Sequence, residues 1–255
     1  MAHRFYLPPD QCRGRALRLA GSEGHHALHV LRVSSGDRVT ILDGAGREFL
    51  CEVARIEDNQ VGLNILETHS HPSPPCEVTL LQALPKGKLI ESIIQKATEL
   101  GAARIVPLLS EHVVVHLDAG EGSRKAQKWQ AVAVEAIKQC GAAWLPRVEL
   151  PVTPKLFLAR GDRVELALIG SLQPGARHPR LYLDAFRSEH RRNPTSLAVW
   201  VGPEGDFTTE EIQMVQAFGT KPITLGPLVL RADTAAVYCL SVVNYELQAP
   251  LTGCG

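Results

Sequence analysis

Two rhythms of apolar residues divide the chain. Up to about residue 72, apolar and polar positions alternate through RALRLAG and DRVTILDGAGREFLCEVARIEDNQVGLNILE. This places Val39, Ile41, Phe49, Cys51, Val53, Ile56, Val61, Leu63 and Ile65 on one buried face. Asp43-Gly44-Ala45-Gly46 and Asp58-Asn59 break the run into short strands with tight turns, a pattern that predicts a small β-barrel. One helical stretch, SEGHHALHVLRVSSGD, interrupts it, with Ser22 as the expected cap and Gly36 beyond its end. The proline-rich break HSHPSPP then sets a domain boundary, giving domains 1–72 and 73–255.

Beyond the break the period changes. CEVTLLQALP, VELALIGS, SLAVWVG and PITLG are short continuous apolar runs, as expected of strands covered on both faces. Helical spacing separates them. Leu89, Ile93, Ile94, Ala97 and Leu100 precede Gly101, and Trp129, Val132, Ala133, Ala136 and Ile137 precede Gly141. YLDAFRSEH reads as a short helix, TTEEIQMVQAFG as a helix capped by Thr208 or Thr209, and ADTAAVYCLSVVNYEL as the last one. Alternating strands and helices predict a mostly parallel α/β sheet that binds its ligand off the carboxyl ends of the strands.

Composition narrows the class. No apolar run approaches the roughly 20 residues of a membrane helix, and MAHRFYLPPD has no signal-peptide core, so a cytoplasmic protein without membrane association is expected. The six cysteines form no CxxC pair, which fits a reducing compartment, and no metal site is expected; His69 and His71 read as part of a linker. A net charge of zero argues against bulk polyanion binding. The first 40 residues nevertheless hold six arginines and four histidines against three acids, which leaves open either a solvated face or a phosphate-contacting one.

The candidate chemistry lies near the C-terminus, where two apolar runs each end in Gly-Pro: VGPEG at Val201–Gly205 and LGPLVLRADTA at Leu225–Ala235. Glycine lets a ligand approach the backbone, and the adjacent proline stiffens the loop and removes a donor. Two such loops read as walls of one pocket. The chain has no GxGxxG following a strand and no GxxxxGK[ST], GxSxG or HExxH, which removes the commonest dinucleotide, P-loop, hydrolase and zinc readings. Because proline replaces open N–H groups at Pro203 and Pro227, an adenosine-type ligand walled by Leu225, Leu228, Val229 and Leu230 fits better than a phosphate.

These residues carry a resemblance. VGPEGDFTTEEI followed by LGPLVLRADTAA is similar to the ribosomal RNA small subunit methyltransferase E family of the SPOUT superfamily. HRFYL, HHALHVLRVSSGD, QALPKGKLIESIIQKATELGAARIVPLLSE and VEAIKQCGAAWLP match its other motifs in order, so the resemblance spans nearly the whole chain. It implies a SPOUT-type sheet with a C-terminal trefoil knot behind a PUA-like barrel, and a homodimer. It also implies S-adenosylmethionine-dependent methylation of N3 of a uridine in 16S rRNA, on the RNA or the 30S particle. The alternatives are a SPOUT enzyme with another target nucleotide and a non-catalytic RNA-binding assembly factor. The chain departs from the family's usual GPEGG at Asp206, from LRTETA at Ala232 and Asp233, and from Glu-Arg-Ser at His112 and Val113.

Together these readings place the cofactor on Leu168, Gly170, Val201, Gly202, Pro203, Glu204, Gly205, Leu225, Gly226, Leu228, Leu230, Thr234 and Ala235. Arg231 is the candidate for stabilising charge on the uracil oxygens. Asp233 is read either as its orienting group, as the base, or as a cap of the last helix. RNA contacts are expected from Arg4, His29, Arg32, Lys86, Lys88, Lys96 and His112. The lysines at a helix start oppose its dipole, which favours an outside anion.

Overall fold

Alternation in the N-terminal residues builds a sheet of β1 (His3–Tyr6), β2 (Ala16–Leu19), β3 (Arg38–Leu42), β4 (Arg47–Glu57) and β5 (Gln60–Ser70). The computed structural model describes residues 3–57, 59–113 and 118–248. The strand order is β1-β3-β4-β5-β2, antiparallel except for the parallel pair β1–β3. Phe5, Leu19, Ile41, Cys51, Val61 and Leu63 fill its core. Ile56, expected on the same face, is 42% exposed. The β4–β5 register shifts between Val53 and Arg55, and a one-residue shift turns the following side chains to the other face.

The helical interruption is a short helix, α1 (Gly21–His25), that widens into a π turn at His26–Val30, where Leu31 N–H bonds the His26 carbonyl at 3.0 Å. Ser22 is not its cap: Ala20 holds that position and makes no side-chain bond.

The second sheet consists of β6 (Glu77–Ala83), β7 (Arg104–Leu108), β8 (Arg147–Val148), β9 (Leu166–Gly170), β10 (Ser196–Val201) and β11 (Lys221–Ile223). Their order is β11-β9-β10-β6-β7-β8, and every pairing is parallel. The helices are α2 (Leu89–Glu99), α3 (Ala119–Cys140), α4 (Pro154–Ala159), α5 (Pro179–His190), α6 (Thr209–Ala217) and α7 (Ala232–Gln248). Thr208 caps α6 in a reciprocal box with Glu211, which decides between the two threonines. The sequence reading left out α4, which Thr153 caps through Leu156 N–H with Pro154 in its first turn. Fully buried Leu80, Leu81, Ile105, Leu108 and Trp200 centre the core.

The chain separates into two units: residues up to Ser73 with Val134–Leu145, and Pro74–Ala133 with Pro146 onward. The C-terminal end of α3 thus packs with the first unit, where the 72/73 boundary did not place it. Arg4 provides the local reason. Its guanidinium donates to the Gln139 carbonyl at 3.1 Å and lies on Gly141, whose φ of +80° ends the helix. A cation there satisfies the free carbonyls and complements the negative end of the dipole.

Candidate active site

The carboxyl ends of β9, β10 and β11 open onto a cavity of about 500 Å³, in the size range of small-molecule sites. Its walls are the loops following the three strands, closed by Ala232 and Ala235 of α7. Ten of the expected cofactor residues line it: Gly170, Val201, Gly202, Pro203, Glu204, Leu225, Gly226, Leu228, Leu230 and Ala235. Leu168 does not, being fully buried two residues inside β9, and Gly205 and Thr234 stand outside the lining as well. The sequence reading missed the loop after β9, including Ser171, Leu172 and Gln173, along with Asp206, Thr224 and Ala232.

Short-range bonds set each loop. Ser171 N–H bonds the Ile223 carbonyl at 3.0 Å, and Ser171 Oγ accepts from Gln173 N–H at 3.1 Å, tying the β9 loop to β11. Thr224 Oγ1 accepts from Gly226 N–H at 3.2 Å, and Gly226 has a φ of +107° that favours glycine. In the β10 loop, Asp206 N–H returns to the Pro203 carbonyl at 2.9 Å, closing a four-residue turn. Asp206 Oδ1 accepts from Phe207 N–H at 2.8 Å, and buried Phe207 meets Trp200 edge-on. A Cβ at Gly202 would stand 2.8 Å from Asp206 Oδ1 and 3.3 Å from backbone atoms of Asp206 and Phe207, so any larger residue would push the Asp206 carboxylate aside and shift the turn by a few tenths of an ångström. Glu204 Oε1 accepts from Lys86 N–H at 3.2 Å, joining the loop to the end of β6.

Among the described residues, two carboxylates, Glu204 and Asp206, are the acids of the lining. Burial raises the Asp206 carboxyl above its ordinary value, against the opposing effects of the Phe207 N–H bond and the His112 charge.

Arg231 and Asp233 lie just beyond the cavity wall. Arg231 is exposed, and its carbonyl accepts from Ala235 N–H at 2.8 Å, so it stands immediately before α7. Asp233 is therefore inside the first turn and does not cap the helix. Its Oδ1 is buried with no hydrogen-bond partner, and among the described residues no ion pair joins it to Arg231. Thr234 is exposed.

The expected RNA contacts scatter. Arg4 is committed to α3, and His29 Nε2 sits 2.8 Å from Asn59 Oδ1. Arg32, Lys86, Lys88 and Lys96 are exposed, and Arg32 has a φ of +54°. His112 packs on the β10 loop, with Nδ1 2.9 Å from the Asp206 carbonyl. Among the described residues no cluster of three or more metal-ligating side chains forms; His69 and His71 lie 3.3 Å from Glu67 and Glu48. No described helix is long and apolar enough to cross a membrane.

A larger cleft, about 1200 Å³, lies at the opposite, amino ends of the same strands. Three of its arginines converge on one carboxylate beside it: buried Glu149 accepts from Arg104 at 2.6 Å, from Arg160 at 2.7 Å and from Arg147, while Arg104 also bonds Asp162 at 2.6 Å.

Comparison with known proteins matches this architecture. An RNA methyltransferase domain model matches residues 72–244, and an RNA methyltransferase PUA domain model matches residues 19–66. The ribosomal RNA small subunit methyltransferase E of Synechocystis is 33% identical over 98% of this chain and 79% of its own length. That of Bacillus subtilis is 29% identical over 90% of both. Two solved structures superpose over 96% of this chain and 98% of theirs. One is a Legionella pneumophila protein in complex with S-adenosylmethionine (32% identity, TM-score 0.86). The other is a ribosomal RNA small subunit methyltransferase E of Neisseria gonorrhoeae bound to S-adenosylmethionine (26%, 0.83). A parallel sheet with a glycine-walled cavity at its carboxyl ends, preceded by a PUA domain, defines an RNA methyltransferase. Within that class, the chain belongs to the ribosomal RNA small subunit methyltransferase E family.

Proposed function

We propose that this chain is an S-adenosylmethionine-dependent methyltransferase that modifies N3 of a uridine in small-subunit rRNA, as free RNA or within the 30S particle. The observation that carries this reading is the cavity between the two Gly-Pro loops, and it is supported by similar proteins having been solved with that cofactor bound. The residues present fit it. Gly170, Gly202 and Gly226 leave room for close approach, Leu225, Leu228 and Leu230 provide apolar walls, and Glu204 and Asp206 oppose a cationic ligand. Cofactor contacts are assigned to these residues together with Val201, Pro203 and Ala235. When bound, S-adenosylmethionine supplies the methyl group.

The chain's own part is acid–base and electrostatic. N3 of uracil carries a proton at neutral pH and lies on the Watson–Crick edge, so the base must be unpaired and lose that proton. Arg231 is positioned beside the cavity to stabilise the negative charge left on O2 and O4. The buried, unpartnered Oδ1 of Asp233 is suited to accept the proton. Arg32, Lys86, Lys88 and Lys96 are the exposed cations assigned to the RNA backbone.

The path of the chain from edge strand β11 back to α7, which packs on α2, β6 and β10, supports a trefoil knot around the cofactor. A homodimer is supported by the outer face of α7, where Tyr238 and Tyr245 are exposed, and by Leu228 and Val229, 72% and 78% exposed. Sedimentation equilibrium at micromolar concentration is expected to give twice the 27.8 kDa of one chain; a monomer mass would remove the dimer. With rRNA as substrate the protein acts in the cytoplasm.

Mass-spectrometric mapping of small-subunit rRNA from a strain lacking the protein tests the activity. One N3-methyluridine is expected to disappear and to return when purified protein and S-adenosylmethionine are added. Loss of a different modification would point to another target, and loss of none would point to an RNA-binding protein without chemistry.

A further inference from the structure

The turn that forms the β10 wall of the cavity is under strain. Asp206 has a φ of +60°, a left-handed conformation that a residue other than glycine occupies at a cost, although Asp tolerates it better than most. Its carboxylate is also drawn into a partly buried position over Gly202, where burial disfavours the charged form. A strained turn persists only where its surroundings over-determine it.

The restraint comes from the segment after β7. Val113 N–H bonds the Ser110 carbonyl at 3.0 Å, forming a turn that presents His112, and Glu111 N–H is held by Glu211 Oε1 at 3.1 Å. His112 Nδ1 lies 2.9 Å from the Asp206 carbonyl oxygen. A carbonyl oxygen only accepts, so Nδ1 carries the hydrogen and donates it. The same ring covers Gly205: a Cβ there would stand 3.5 Å from Nδ1 and 3.6 Å from Cβ and Cγ of His112. These are ordinary van der Waals distances, so the imidazole lies beside Gly205 while its nitrogen reaches the next carbonyl.

We propose that His112 is a positioning residue for the cofactor: its Nδ1–H bond to the Asp206 carbonyl and its ring on Gly205 hold the Gly202–Phe207 turn in the shape that lines the cavity. The inference rests on the cavity being the S-adenosylmethionine site. It assigns His112 to cofactor affinity, in place of the RNA contact expected from its charge. Without the clasp, the turn samples conformers in which the left-handed residue relaxes, and the cofactor must select the competent fraction, which lowers its apparent affinity by that fraction.

Three variants of the full chain separate the possibilities. Calorimetry with S-adenosylmethionine is expected to give His112→Ala an affinity about three- to ten-fold weaker, the effect of one net hydrogen bond. His112→Asn, whose side-chain amide N–H replaces Nδ1–H as donor, is expected to recover most of it. His112→Phe, which keeps a ring over Gly205 without the donor, is expected to resemble the alanine variant. Hydrogen exchange at the Asp206 and Phe207 amides reads the clasp without any ligand and is expected to be faster in His112→Ala than in the native protein. Native cofactor affinity in His112→Ala, or an asparagine variant as weak as the alanine one, would overturn the proposal. So would a defect in RNA affinity alone. If the native protein bound no S-adenosylmethionine, the cofactor reading would fail, and the amide exchange would still decide the clasp: equal rates sink it, faster rates in the variant support it.

Discussion

Arg231→Ala is expected to lower methyl transfer to small-subunit rRNA by about 10²–10³-fold, the loss typical of removing one donor to a developing oxyanion. The binding of cofactor is expected to stay near native, because Arg231 does not line the cavity. The fold is expected to survive for the same structural reasons. The side chain is exposed and makes no hydrogen bond or ion pair among the described residues, and the only bond the residue provides is its carbonyl to Ala235 N–H, which alanine keeps. Arg231→Lys retains charge but loses the planar fork that can address two uracil oxygens, so an intermediate rate is expected. Single-turnover transfer together with calorimetry checks both halves. A rate within a few-fold of native would remove Arg231 from the chemistry, and a collapse of cofactor affinity would make it a wall of the pocket.

How much of this was legible in the sequence follows from how local each signal is. Glycine, proline and cap chemistry act within a few residues. For that reason the two Gly-Pro loops and Gly141 at the end of α3 could be read directly, and the cap of α6 was narrowed to Thr208 or Thr209, of which the structure selects Thr208. The continuous apolar runs announced buried parallel strands, and the sheet is parallel throughout. The third wall of the cavity, Ser171–Ala176, was less visible, although Pro174-Gly175 after Gly170 repeats the turn chemistry of the other two loops in reverse order. Long-range partners were beyond reach. Nothing near Arg4 in sequence announces that its guanidinium ends a helix 135 residues away, and nothing near His112 announces a carbonyl 94 residues on. The departures from the family pattern at Asp206 and His112 stand far apart in the sequence, and in the folded chain they touch each other.

The opposite end of the sheet yields the largest expected effect on stability. Burial by itself would raise the carboxyl of Glu149, but hydrogen bonds from Arg104, Arg147 and Arg160 outweigh it and hold the group at about 2, against an ordinary 4.5. With the folded value below the unfolded one, the unfolded chain binds the proton more tightly. The stabilisation is therefore complete above pH 4.5 and lost as pH falls toward 2. That shift corresponds to about 3 kcal/mol at neutral pH. Glu149→Gln removes the carboxylate the three guanidinium groups share; because Arg147 and Arg160 are solvent-exposed and Arg104 keeps Asp162, the cost is expected to stay near that value, about 3 kcal/mol or less. Urea unfolding at pH 7 is expected to show that loss, with a melting temperature lower by about 10 °C. Between pH 4.5 and 2 the native protein is expected to lose more stability than the variant, in which this carboxyl no longer titrates. Parallel curves across that window, or an unchanged urea midpoint, would show that the arginines find other partners. Because Glu149 sits toward the amino ends of the strands and the cavity opens at their carboxyl ends, the surviving folded variant is expected to bind S-adenosylmethionine normally at 25 °C. The same substitution thus separates what holds the sheet together from what the sheet presents.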